Sequence, residues 1–299
     1  MDFIERAAKK LQAQEKTSLL ERAVERIADA PPASRAEAGE RPVGRREDQA
    51  QAKRSRRGMI DLVSLRARGF IVPEAPPTVT AEEFRLIKRG LLLKAADKGR
   101  DALSNGNIIL VTSAQPSEGK TFCSVNLALS IASERDYTVL LVDADFAKPE
   151  VLSTLGLQGD KGLVDVIADP SIDLADCLIR TNIENLAVLP AGRQHHLTTE
   201  LLASDRMGSI VAELAARYPD RIIIFDSPPA LASSAAAVLA LHVGQVVFVV
   251  ESERTSEAQV REGIKLIEGC KSINLLLNKT RFNFAEHKFG TYYAYEGRS

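Results

Sequence analysis

At 299 residues, with 39 Lys and Arg against 40 Asp and Glu, the chain is near neutral and long enough for one large domain with extensions. The 45% apolar content supports a sizeable core, but 5% aromatics and no Trp mean that it must be largely aliphatic. The balanced charge argues against a nucleic-acid partner, and Cys123, Cys177 and Cys270, far apart and without a CxxC pair, argue against a disulfide framework or a zinc site.

In chain order, residues 1–30 space Phe3, Ile4, Ala7, Leu11, Leu19, Leu20, Val24 and Ile27 as an N-terminal amphipathic helical segment. The opening MDFIERAAKK is too charged for a signal peptide. Residues 31–79 are poor in large apolar side chains until late and rich in Ala, Pro, Arg and Glu, and are expected to be a disordered, Pro-rich linker. The basic run Lys53–Arg57 reads as a solvated stretch, with anionic lipid headgroups as the sharper alternative. Thr80, followed by Glu82 and Glu83, opens a helix expected to run to about Leu103, with Thr80 as its N-cap.

Apolar runs of strand length then recur at 108–112, 139–142, 186–189, 221–225, 246–250 and 273–277, with helical segments between most of them. Uninterrupted apolar strands alternating with helices predict a parallel sheet covered on both faces. The fold class is therefore α/β, a P-loop NTPase three-layer sandwich with a mostly parallel sheet, over residues 80–280. Residues 281–299 are expected to be a flexible Tyr-rich tail. The longest apolar stretch, 235–250, contains His242, Gly244 and Gln245, and reads as helix, turn and strand rather than as a membrane span. A cytoplasmic protein is expected.

The first strand runs into Ala114-Gln-Pro-Ser-Glu-Gly119-Lys120-Thr121 and then a helix, a P-loop with Ala in place of the first Gly. Ser117, Glu118, Gly119, Lys120, Thr121 and Phe122 are therefore expected to wrap phosphates with their backbone N–H groups. Lys120 should reach the β- and γ-phosphates, and Thr121 should place its hydroxyl on Mg²⁺. A second buried run, Val139-Leu-Leu-Val-Asp143-Ala-Asp145, ends in two acids at the rim where ligands of open α/β sheets bind. A third, Ile222-Ile-Ile-Phe225-Asp226-Ser-Pro-Pro229, ends in an acid at the position of an outer-sphere or water-mediated Mg²⁺ ligand. Asn278-Lys279 closes the last strand, where Asn278 could flank the adenine, and His195-His196 reads as a surface pair rather than a metal site.

These motifs resemble the bacterial tyrosine autokinases of capsule and exopolysaccharide loci, in particular those encoded beside an exosortase. The resemblance spans roughly residues 80–299: AQPSEGKT, LLVDADFAKP, IIIFDSPP, Leu189-Pro-Ala-Gly192, Glu200-Leu-Leu202 and the closing tyrosine cluster. Ala147, Ser234-Ala235-Ala236 and Lys88 depart from the family pattern. The resemblance implies an ATP- and Mg²⁺-dependent non-specific protein-tyrosine kinase. Lys120, Asp143 and Asp145 would carry the transfer, Thr121, Asp143 and Asp226 the metal, and Tyr292, Tyr293 and Tyr295 would accept phosphate in a neighbour's site. It further implies a homo-oligomer built through Glu82, Arg85 and Lys88, a membrane-bound polysaccharide co-polymerase as activator, a cognate tyrosine phosphatase, and a place at the inner membrane through that partner. A MinD- or ParA-like ATPase switch and a nucleotide-binding assembly scaffold are the rival readings; the tyrosine tail separates them from the kinase.

Overall fold

Alternation within the apolar strands decides the architecture. Ile108, Leu110, Leu140, Val142, Ile223 and Phe225 pack into one core, while Ile109, Val111, Val139, Leu141, Ile222 and Ile224 pack into another. Successive side chains of a strand point to opposite faces, so each of these strands is buried on both sides and helices must cover both faces.

The computed structural model describes residues 56–280 apart from Glu74, Pro77, Asp101, Tyr218 and Pro219, all within one unit, Asp48–Ser299. The expected amphipathic segment 1–30, the first part of the expected linker and the tyrosine tail lie outside the described residues. The strands are β1 (Arg56–Arg57), β2 (Ile108–Ser113), β3 (Thr138–Asp143), β4 (Ile179–Arg180), β5 (Leu186–Leu189), β6 (Arg221–Asp226), β7 (Gln245–Glu251) and β8 (Ile273–Asn278). The helices are α1 (Leu62–Ala67), α2 (Val79–Ala96), α3 (Lys120–Ala132), α4 (Val151–Leu155), α5 (Leu163–Ala168), α6 (Leu174–Cys177), α7 (Thr198–Leu202), α8 (Asp205–Arg217), α9 (Ser234–Ala240) and α10 (Glu257–Leu266). The eight strands form one sheet in the order β1-β4-β5-β3-β6-β2-β7-β8, with β4 antiparallel to β5 and every other pairing parallel.

The expected linker ends earlier than the composition suggests. From Arg56 the chain is part of the fold: β1 pairs with β4, and Asn182 clamps the backbone of Ile60, accepting from its N–H at 2.8 Å and donating to its carbonyl at 3.1 Å. Asp61 caps α1, whose Leu65 is fully buried, and Asn126 on α3 accepts the N–H of Ile71 at 2.8 Å. Three isolated apolar side chains, Ile60, Leu65 and Ile71, anchor the segment to the core.

Helix α2 is capped two residues earlier than expected. Thr78, not Thr80, is the N-cap and accepts the Ala81 N–H at 3.1 Å. It stops at Ala96 instead of reaching Leu103, because Asp97 turns extended and its carboxylate accepts the N–H of Gly99 at 2.8 Å. Phe84, Lys88 and Leu91, at i, i+4 and i+7, form its buried stripe. No helix of the described residues is long and apolar enough to cross a membrane.

Candidate active site

Because β3, β6 and β2 are consecutive in the sheet, their C-terminal ends bring three motifs to one rim. Asp143 and Asp226 are registered partners on the adjacent strands β3 and β6. The loop after β2 crosses beside them and enters α3 at Lys120.

Two left-handed residues shape that loop, Ser117 at φ +67° and Gly119 at φ +94°. At Gly119 only glycine fits on two counts: the positive φ, and the amide Nδ2 of Asn278, which a Cβ there would meet at 2.2 Å. Lys120 is only 7% exposed, and no carboxylate among the described residues pairs with it at salt-bridge distance. Thr121, beside it in the first helical turn, donates its hydroxyl to Asp226 Oδ2 at 2.7 Å. Ser124, one turn on, donates to Asp226 Oδ1 at 2.9 Å. Both oxygens of Asp226 are thus in use.

Burial governs the acids. Asp226 is fully buried and its carboxyl is raised to about 6, an increase limited by the Thr121 and Ser124 hydroxyls and by Lys120. Asp143, 1% exposed, is raised to about 8 by burial first and by the neighbouring Asp226 second. Two backbone donors oppose that rise, Val151 N–H at 3.0 Å and Asp145 N–H at 3.3 Å. Asp145 is half-buried and its carboxyl is also raised, by burial, against the pull of the Lys148 N–H and of Lys120. The thiol of Cys123, 1% exposed, is pushed up to about 12 by burial and by Asp226, which removes it as a nucleophile.

The expected site residues Ser117, Glu118, Gly119, Lys120, Thr121, Asp143, Asp145, Asp226 and Asn278 therefore gather at one rim. Phe122 contributes differently from the rest. Its ring packs against Phe70 at 5.0 Å and Phe84 at 6.5 Å, so its route to a phosphate is the backbone N–H of the first helical turn. Asn278 donates to the carbonyl of Glu118 at 2.9 Å, and Lys279 donates to that of Ser117 at 2.7 Å. Glu118, 2% exposed, accepts the Gln115 N–H at 2.7 Å and the hydroxyl of Thr255. Ser124 and Thr255 escaped the sequence reading. The position of Ser124 one turn after Lys120 was a signal for it, whereas nothing local marks Thr255.

The donor set suits a nucleotide with magnesium. Among the described residues no three His, Cys, Asp or Glu side chains converge on a metal by themselves. Mg²⁺ normally takes one or two carboxylates and completes its shell with water and substrate phosphates. Thr121, Asp143 and Asp226 beside a buried, unpaired Lys120 and a glycine cradle match that habit. Outside the site, His195 and His196 stack on each other at 4.7 Å. Of the trio expected at a subunit interface, Glu82 pairs with Arg85 on its own helix. Lys88 turns inward, 6% exposed, to the Ser130 carbonyl at 2.7 Å and Glu134 at 2.6 Å.

Known proteins resemble this chain in sequence and in fold. The AAA domain profile matches residues 106–280. The tyrosine-protein kinase YwqD of Bacillus subtilis (strain 168) is 30% identical over 205 residues, covering 69% of this chain and 82% of that one. The tyrosine-protein kinase wzc of Salmonella typhimurium is 30% identical over 198 residues, which is 66% of this chain but 27% of that protein, so this chain spans about a quarter of its length. Among solved structures, the chimerical protein CapA2B2 superposes with a TM-score of 0.62 at 28% identity, over 79% of this chain and 98% of that one.

Proposed function

Because the chain belongs to the AAA domain family and, within it, to the bacterial tyrosine-protein kinases, we propose that it transfers the γ-phosphoryl group of ATP to the tyrosines of its own C-terminal tail, as a non-specific protein-tyrosine kinase serving exopolysaccharide synthesis or export. The observation that carries the reading is the meeting of three strand ends, with Thr121 bonded to Asp226 at 2.7 Å beside the buried Lys120.

Little covalent work is asked of the protein in phosphoryl transfer; positioning and charge neutralisation dominate. The first-turn N–H groups of α3 and those of Ser117, Glu118 and Gly119 wrap the phosphates, and Lys120 adds a full charge. Thr121 and Asp226 would hold magnesium, with Asp226 also accepting the hydroxyls of Thr121 and Ser124. Magnesium, when bound, spreads the phosphate charge and orients the transferred group. Asp143 would accept the phenol proton or orient a water beside the metal site. A pKa near working pH suits a general base. Asp145, more open, is its backup, and Asn278 borders the nucleotide.

The acceptors in this reading are Tyr292, Tyr293 and Tyr295, reaching a neighbouring subunit of a homo-oligomer. About ten extended residues between the fold and Tyr292 span up to roughly 35 Å. Since Lys88 is buried against its own chain, the exposed arginines of α2, Arg89 and the Glu82-paired Arg85, are the cations proposed to meet a neighbour. A membrane-bound polysaccharide co-polymerase is the proposed activator and the link to the inner membrane, with a cognate tyrosine phosphatase resetting the tail. The domains are the helical segment 1–30, a linker ending before Arg56, the kinase domain to residue 280 and the tail 281–299. Incubation of the full chain with Mg-ATP, followed by mass mapping, tests the reading: phosphate on the three tail tyrosines is expected. ATP hydrolysis without any phosphotyrosine would favour the ATPase switch.

A further inference from the structure

We propose that Asn278 and Lys279, which close the edge strand β8, are positioning residues that hold the phosphate loop open for its anion by gripping its backbone carbonyls from outside. The inference rests on the nucleotide reading above and specifies how part of that site is kept in shape.

The geometry starts from the peptide unit. In a trans peptide the C=O and the following N–H lie in one plane and point in opposite directions, and no cis peptide is present among the described residues. Lys279 Nζ donates to the Ser117 carbonyl at 2.7 Å, and Asn278 Nδ2 donates to the Glu118 carbonyl at 2.9 Å. These two carbonyls share their planes with the N–H groups of Glu118 and Gly119. Drawing the carbonyls toward β8 turns both N–H groups away from it, toward the mouth of the loop.

The grip is itself braced. Lys279 takes a left-handed φ of +54° at the strand end. Its ammonium also pairs with Glu251 at 3.2 Å, and Glu251 is the registered partner of Asn278 on β7. From the turn after β7, Thr255 donates its hydroxyl to the buried carboxylate of Glu118, which also accepts the Gln115 N–H. The loop is therefore tied to the segments following both β7 and β8. Aligned N–H donors fixed before the ligand arrives bind an anion without the cost of ordering them at that moment.

This role differs from a contact of the same Asn278 with the base. A carbonyl grip acts on the phosphates only, so its loss weakens ligands in proportion to their phosphates and spares the nucleoside.

The test is calorimetry on the full chain with MgADP, and with adenosine by competition, for wild type, Asn278→Ala, Lys279→Met and Lys279→Arg. We expect Asn278→Ala and Lys279→Met each to weaken MgADP roughly tenfold, the worth of one such hydrogen bond, while adenosine changes less than about twofold. Asn278→Ala leaves the net charge unaltered, so its effect cannot be long-range electrostatics, and Lys279→Arg, which keeps a donor, should recover most of the loss. Equal weakening of adenosine and MgADP would overturn the proposal in favour of a base contact, and unchanged MgADP affinity in both variants would overturn it outright. A failure of the nucleotide reading would look different, because wild type itself would then bind no MgADP.

Discussion

Asp143→Asn should do two opposite things, stabilise the nucleotide-free fold and stop the transfer. The carboxyl of Asp143 moves from 3.8 to about 8 on folding, through burial and the nearby Asp226. Such a group is protonated in the fold and ionised in the unfolded chain at pH 7. That difference lowers folding stability by up to about 4 kcal/mol relative to a neutral group of the same shape. Asn keeps one acceptor for the N–H groups of Val151 and Asp145 but sets its own NH₂ against the other, which costs about 1–3 kcal/mol. The net gain is on the order of 2 kcal/mol. The sign follows from the raised pKa: the fold keeps its full stability below pH 3.8 and loses it as pH rises toward about 8. Denaturant melts of nucleotide-free wild type and variant at pH 5, 7 and 8.5 should show the variant's advantage widening and then levelling. A constant gap across that range would refute the reasoning about burial. In the same variant the kinase rate should fall by about 10²–10⁴-fold, and an activity within about threefold of wild type would pass the role to Asp145.

Lys120→Ala should abolish both MgATP binding and autophosphorylation, read by calorimetry and phosphotyrosine blotting; labelling at the wild-type rate would mean the site is elsewhere. Lys88→Ala should lower stability by about 1–3 kcal/mol, because the Ser130 carbonyl loses its partner, with the oligomer mass unchanged. Arg85→Ala should reduce the oligomer mass by light scattering and leave the melting temperature nearly unmoved; the reverse pattern would restore Lys88 to the interface. Leu65→Ala should cost about 2–5 kcal/mol as a fully buried leucine, and a wild-type melt would remove residues 56–72 from the cooperative unit. Changing Tyr292, Tyr293 and Tyr295 together to Phe should erase the phosphotyrosine signal; persistence on Tyr137 or Tyr218 would show that the tail is not the acceptor.

The six longer strands could be read from the sequence because each carries an unbroken apolar run, the mark of a doubly buried parallel strand such as Val139–Val142, which the edge strand β8 shares although Leu275 and Leu277 are exposed. The two short ones could not. Ile179–Arg180 is too brief for any period, and Arg56–Arg57 is extended only because β4 offers it a partner. The folded segment 56–72 looked like linker for a related reason. Its anchors are three scattered apolar residues and two asparagines, Asn126 and Asn182, whose amides act on backbone 55 and 122 residues away. Local composition carries no trace of such contacts. The site divides along the same line. The phosphate loop and the strand-end acids are local motifs whose backbone setting could be inferred. The hydroxyl of Thr255 reaches Glu118 from 137 residues away, and the inward turn of Lys88 depends on α3 lying beneath α2, so neither is written in its own neighbourhood.

The site is prepared unequally before any nucleotide arrives. Its donors are already set: Gly119 and Ser117 hold left-handed conformations, the carbonyls of Ser117 and Glu118 are gripped from β8, and Lys120 is buried. Its acids are not, since Asp143 sits beside Asp226 with its carboxyl raised to about 8 and holds its proton at neutral pH. Two adjacent buried carboxylates cannot both ionise cheaply without a cation between or beside them. On the proposed reading the loop captures phosphate as it stands, whereas the proposed base gains its charge more readily once positive charge enters the rim. In that reading, proton acceptance by Asp143 is therefore favoured when the site is filled.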